Sequence, residues 1–155
     1  MSPNIEAFWQ AYLASLPAGQ NPPSNTYDAW GFGDSPEMAD NLGLLVKNGI
    51  KTATCSLVWE SEAEGESPPY AGQMSIILAG NGDPLCIIET IEVEIKPYNE
   101  VDAQFAYHEG EGDRSLAYWR EAHWGFFSRV CQRLDLEPSL TMPLYCERFR
   151  VVYPK

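Results

Sequence analysis

Residues 73–79 and 85–95 are two runs of β-forming side chains separated by Asn81-Gly82-Asp83-Pro84. Asn-Gly accepts the positive φ angles of a tight turn, so the runs read as an antiparallel hairpin. This feature constrains the fold more than any other. Strands joined by a short turn do not build a doubly wound parallel sheet, which needs a long crossover at each step. Two further runs rich in β-formers, 52–59 and 144–153, supply partners for the hairpin.

Helices are interleaved with these runs. Residues 2–16 read as a helix with Ser2 as cap and Pro3 in its first turn. Ile5, Phe8, Trp9, Tyr12, Leu13 and Leu16 form its apolar stripe. A second helix is predicted from Ser35-Pro36-Glu37, where a hydroxyl caps and an acid meets the macrodipole. Its apolar face is Met38, Leu42, Leu45 and Val46, and Asn48-Gly49 closes it. A long helix is expected at about 115–134 from the spacing of Leu116, Trp119, His123, Phe126, Phe127, Val130 and Leu134. The acid-rich stretch 60–70 reads as a mobile, solvated loop lying, like the Asn81-Gly82 turn, away from any site. The fold class predicted is α+β: one domain, a small mixed β-barrel with flanking helices.

Charge limits the partners. The net charge of the 155 residues is −12, unsuited to bulk binding of a phosphate backbone. Residues 1–95 carry two basic against thirteen acidic side chains, and residues 96–155 carry eight against nine. One nucleotide in a pocket fits these numbers better than a long strand. Cys55, Cys86, Cys131 and Cys146 are far apart, with no C-x-x-C pair, and read as buried thiols. No apolar run reaches the roughly 20 residues of a membrane span. Met1–Glu6 lacks a basic patch before an apolar stretch, so a cytoplasmic location is expected.

Two joints place polar groups where chemistry needs them. In Gly49-Ile50-Lys51-Thr52-Ala53-Thr54 the second helix hands over to a strand; in His108-Glu109-Gly110-Glu111-Gly112-Asp113 an acidic turn precedes the long helix. Thr52, Thr54 and Ser56 alternate and share a strand face, while the long stem of Lys51 reaches from the joint. Glycines around Glu111 let backbone approach a ligand closely.

These segments resemble a known family. Residues 27–40, Tyr-Asp-Ala-Trp-Gly-Phe-Gly-Asp-Ser-Pro-Glu-Met-Ala-Asp, are similar to a segment of the larger bacterial ASCH-domain proteins. Gly49 to Thr54 resembles the G-x-K-x-x-T motif of that superfamily. Glu109 to Ser115, with Trp119-Arg120 and His123-Trp124-Gly125-Phe126-Phe127, resembles its acidic turn and helix, and Cys146-Glu147-Arg148-Phe149 its closing strand. The resemblance spans about 27–153, leaving 1–26 as an N-terminal helix and loop extension. It implies a PUA-like β-barrel, a pocket beside the G-x-K-x-x-T segment and a link to RNA.

Some small members of the superfamily deacetylate a cytidine acetylated on its exocyclic amine with a Lys, a Thr and a Glu; ribonuclease activity has been attributed to a larger one. By motif position the catalytic set is Lys51, Thr54 and Glu111, with Glu109 the rival for the acid. Thr52, Glu109, Arg114, Ser115 and Trp30 are expected around the ligand. The chain differs from the small amidohydrolases in its extension and in its glycine-rich turn.

Chemically, Glu111 would take a proton from water or from Thr54. Lys51 would stabilise an oxyanion or, if neutral, activate the Thr54 hydroxyl. His123, on the apolar helix face, reads as a core histidine. Trp30, Tyr107 and Trp124 are candidates to stack a base, with packing the simpler role. No His/Asp/Glu set with ligand spacing is legible, and Glu109 with Glu111 would hold only a weakly bound Mg²⁺. The expected partner is a nucleoside, nucleotide or short RNA. Hydrolysis of a modified nucleoside's amide or of an RNA phosphodiester stands beside a non-catalytic RNA-binding module.

Overall fold

The computed structural model describes residues 3–155, so the proposed Ser2 cap lies outside the described residues. The elements run α1 (Pro3–Ser15), β1 (Asp28–Trp30), α2 (Pro36–Lys47), β2 (Ala53–Leu57), α3 (Val58–Ala63), β3 (Met74–Leu78), β4 (Pro84–Pro97), a 3-10 turn (Tyr98–Glu100), α4 (Ala103–Glu109), α5 (Leu116–Arg133) and β5 (Pro143–Tyr153). Five strands form one sheet in the order β1-β3-β4-β5-β2. The predicted hairpin is β3–β4, with Ile76 opposite Ile87. All pairings are antiparallel except β1 with β3. Register shifts near Ile87/Ile88 and Thr90/Glu92 interrupt the long β4–β5 ladder; such irregularities bend strands, and the sheet is a curled half-barrel.

The caps form where the local chemistry places them. Ser35 accepts a hydrogen bond from the Met38 N–H with Pro36 in the first turn, and Ser115 accepts one from the Tyr118 N–H. Sequence and structure part in three places. The run 52–59 ends as a strand at Leu57, and Val58 begins α3. The acidic segment is therefore helical to Ala63 rather than a loop throughout. Strand β1, three residues long, and helix α4, seven, are too short for a readable period.

Three apolar clusters hold the layers. Ile5, Trp9 and Tyr12 of α1 pack on Met74, Ile76 and Ile87, so the N-terminal extension covers the outer face of the sheet. Trp119, Phe127 and Val130 of α5 pack on Ala53, Leu57, Leu144 and Cys146. Phe32, Val46, Ile77, Cys86, Ile88 and Phe149 make the third. Each such large side chain contributes roughly 1.5–3 kcal/mol by leaving water. No described helix is long and apolar enough to cross a membrane.

Candidate functional site

The joint between α2 and β2 and the turn between α4 and α5 are stitched together by backbone. The Thr52 N–H donates to the His108 carbonyl at 2.8 Å. Gly110 caps α4 with φ of 74°, and a Cβ there would stand 2.8 Å from the Ile50 carbonyl oxygen. Only glycine lets the turn come this close. Arg114 adds Nε–H to the Tyr107 carbonyl at 3.1 Å and lies 3.7 Å over the Tyr107 ring.

This closeness puts Lys51 between the two acids of the turn. Its Nζ donates to Glu109 Oε1 at 2.8 Å, to Glu111 Oε2 at 2.8 Å and to the Ala53 carbonyl at 3.0 Å. An ammonium has three donors, and all are engaged. Lys51 is 1% exposed, among the most deeply buried side chains of the described residues. Burial alone would push its pKa down, but the Glu109 and Glu111 carboxylates override this and raise it. The amine stays charged, which overturns its reading as a neutral activator of Thr54.

Glu109 is equally buried. Its Oε2 accepts from Trp119 Nε1–H at 2.7 Å and from the Cys55 thiol at 3.1 Å, and lies 3.4 Å from His123 Nε2. Burial would raise its pKa, yet Lys51 and His123 hold the carboxyl far below the usual range. Burial likewise opposes charge on His123, but Glu109 lifts its pKa above the ordinary value. Burial and then Glu109 push the Cys55 thiol well up, so it is a donor rather than a nucleophile. Glu111, with a side chain 19% exposed, is the acid of the pair that remains open to a ligand.

Beside this cluster lies a cleft of about 860 Å³, a size that takes a small molecule. Lys51, Thr54, Glu109, Glu111 and Trp30 all line it. Thr52, Arg114 and Ser115 do not; the first two tie the segments together and the third caps α5, so each positions the site without reaching the cleft. Trp124 packs against the core beside Tyr98, and Tyr107 stacks under Arg114 outside the cleft. His123 was expected in the core, but it lines the cleft while its Nδ1 sits 2.9 Å from the Trp119 carbonyl.

The acidic segment is a second correction. Glu60, Ser61 and 66–70 form one wall of the cleft, and Arg133 ties that wall down through Glu60 and Glu64. Its composition had suggested solvent alone; α3 and the Arg133 pairs fold it inward.

Sequence spacing missed Cys55, Trp119 and His123 as partners of Glu109. Cys55 Sγ, Glu109 Oε2 and His123 Nε2 lie within 4.8 Å of one another, a set with metal-ligand chemistry. Lys51 and Trp119 already occupy much of Glu109, however, and Lys51 Nζ sits between Glu109 and Glu111 where a cation would go. The group is a complete hydrogen-bonded network in itself. Trp119 and His123, four residues apart on one face of α5 and stacked at 4.3 Å, carried the readable signal.

The profile of the ASCH domain matches residues 28–153. The chain belongs to the ASCH domain family. Among solved structures, an ASCH domain from Lactobacillus crispatus is 37% identical with a TM-score of 0.93, covering 99% of this chain and 96% of that one. A protein from Enterococcus faecalis is 42% identical with a TM-score of 0.85, covering 97% and 89%. No curated protein matches. The ASCH assignment agrees with the α+β half-barrel and with the G-x-K-x-x-T segment lying at the cleft.

Proposed function

We propose that the cleft binds a nucleoside and hydrolyses an amide on its base. The observation that carries this reading is the Lys51 ammonium, buried at the cleft wall and held by Glu109 and Glu111 at 2.8 Å each. A fixed cation beside an accessible carboxylate and a hydroxyl suits acyl transfer to water. Water attacks the acyl carbon, and Glu111 takes its proton as the carbonyl electrons move onto oxygen. The developing oxyanion draws an N–H of Lys51 away from Glu111. Glu111 then returns the proton to the amine nitrogen as the C–N bond breaks, giving a carboxylic acid and an amine. Glu109, already bound by four side chains, holds Lys51 in place. Thr54 lines the same wall and orients the acyl group or the water.

Charge favours a nucleoside over a phosphodiester. Asp28, Glu60, Glu66, Glu109, Glu111 and Glu147 line the cleft against Lys51 and Arg129 alone among Lys and Arg. Trp30 and Phe126 on its walls offer ring faces to a base.

The test is turnover of N4-acetylcytidine, followed as release of cytidine. Wild type should turn over, and Glu111→Gln should lose about 10²–10⁴ of the rate while remaining folded. An inert wild type that instead binds single-stranded RNA with a steep salt dependence would replace this reading with an RNA-binding module.

A further inference from the structure

Among the described residues, Glu147 is the one cleft carboxylate that the hydrolytic scheme and the Lys51 cluster leave with neither a basic partner nor an exposed rim position. It sits on β5 with Tyr145 and Phe149 on the same face of the strand. It stands directly opposite Thr54 on β2, so the two side chains are neighbours on the cleft floor. From β4 it meets Val93 in register, and the buried Thr90 of the same strand acts against its upward shift. Among the described residues no basic group pairs with it. The two Lys and Arg side chains of the cleft are engaged elsewhere, Lys51 by Glu109 and Glu111, Arg129 by Asp34 at 3.3 Å.

Glu147 is half-buried on the cleft wall, and an acid partly withdrawn from water without a cation is less costly as a neutral carboxyl than as a carboxylate. In agreement, burial pushes Glu147 up to about 7, with Thr90 opposing. The neutral group carries a donor and an acceptor on adjacent oxygens. A phosphate or a carboxylate ligand finds no match there. The Watson–Crick edge of an aminated base does.

We propose that Glu147 is a specificity-determining residue that seats the ligand's heterocyclic base through two hydrogen bonds. The carboxyl O–H donates to a ring nitrogen such as cytosine N3 or adenine N1, and its carbonyl oxygen accepts from the neighbouring exocyclic N–H. An acylated amine keeps one N–H, so the same pairing holds substrate and product. This inference rests on the nucleoside reading of the cleft and adds the residue that recognises the base.

The experiment is calorimetric titration of cytidine and adenosine into the full chain as wild type, Glu147→Gln and Glu147→Ala, at about pH 6 and about pH 8. A glutamine amide also presents a donor beside an acceptor but does not titrate. Wild type should bind at the lower pH and lose about tenfold at the higher. Glu147→Gln should bind equally at both, and Glu147→Ala weakly at both. The other ionisable groups on the cleft are Asp28 of β1, Cys55 of β2, Glu60, Glu66 and Tyr70 of the acidic wall, Lys51 with Glu109 and Glu111, and Tyr118, His123 and Arg129 of α5. All of these remain in the glutamine variant, so a pH dependence surviving in it overturns the proposal. Wild-type affinity in the alanine variant overturns it as well, and leaves the nucleoside reading standing. Absence of nucleoside binding by every form overturns both. Should the alanine variant not fold, the contrast between wild type and glutamine still decides.

Discussion

Lys51 shows how far a single residue can depart from what its type suggests. A lysine after Asn48-Gly49 ordinarily ends in solvent, and its truncation would then change stability by under about 0.5 kcal/mol. Here it neutralises Glu109 inside the protein, where both are 1% exposed. Lys51→Ala would leave that carboxylate uncompensated and should lower the unfolding free energy by about 3–5 kcal/mol, read by urea denaturation. A loss below about 1 kcal/mol would contradict the buried pair. Activity lost in Lys51→Ala therefore says little about catalysis, and Glu111→Gln is the cleaner probe of chemistry. Its side chain keeps 19% exposure and the amide keeps an acceptor for Lys51, so it should cost about 1 kcal/mol or less. The motif made Lys51 and Glu111 legible in the chain, whereas the depth of Lys51 was not. Depth is set by Glu109, Glu111 and the Phe32 ring, which arrive from other parts of the chain.

At the scale of elements, the helix caps, the hairpin and the long helix were readable because their signals lie within a few consecutive residues. Ser35-Pro36, Asn81-Gly82 and the period of α5 are such signals. Helix α4 escaped because seven residues give no period, although Asp102, which accepts the Phe105 N–H at 2.8 Å, marks its start. Its C-terminus matters most for the site, since Gly110 there admits the turn to the joint. Gly110→Ala forces a side chain into a left-handed conformation and against the Ile50 carbonyl at 2.8 Å. It should cost about 2–3 kcal/mol and weaken nucleoside binding by moving Glu109 and Glu111 off Lys51. Gly112→Ala shares the positive φ, but its Cβ meets the Tyr118 ring, which is 41% exposed and free to swing. That substitution should be the milder of the two in denaturation, and the reverse order would remove the close-approach argument for Gly110.

Over the whole molecule, the buried ionisable groups make stability depend on pH in a way that net charge does not indicate. The Glu109 carboxyl is far more acidic folded than unfolded, so its stabilisation is complete above its ordinary value of 4.5 and is lost as pH falls below that. His123 is raised, and its contribution is present below 6.5 and fades as pH climbs through the folded value. Glu147, raised from 4.5 to about 7, acts in the same direction as His123. Between those two values the folded chain keeps a proton that the unfolded chain has released, so stability declines with rising pH. The shift would amount to about 3 kcal/mol for a fully enclosed group. Glu147 borders an open cleft, and screening by water reduces this to about 1–2 kcal/mol. The fold should thus be most stable in mildly acidic solution and weaken toward pH 8 on the order of these amounts. Glu147→Gln removes the term belonging to Glu147 alone. It should match wild type near about pH 4 and exceed it by about 1–2 kcal/mol near about pH 8, the remaining slope being that of His123. Urea denaturation of both proteins across that range measures the difference directly. Parallel curves would mean that the Glu147 carboxyl ionises as an ordinary acid, and the neutral donor on the cleft floor would go with it.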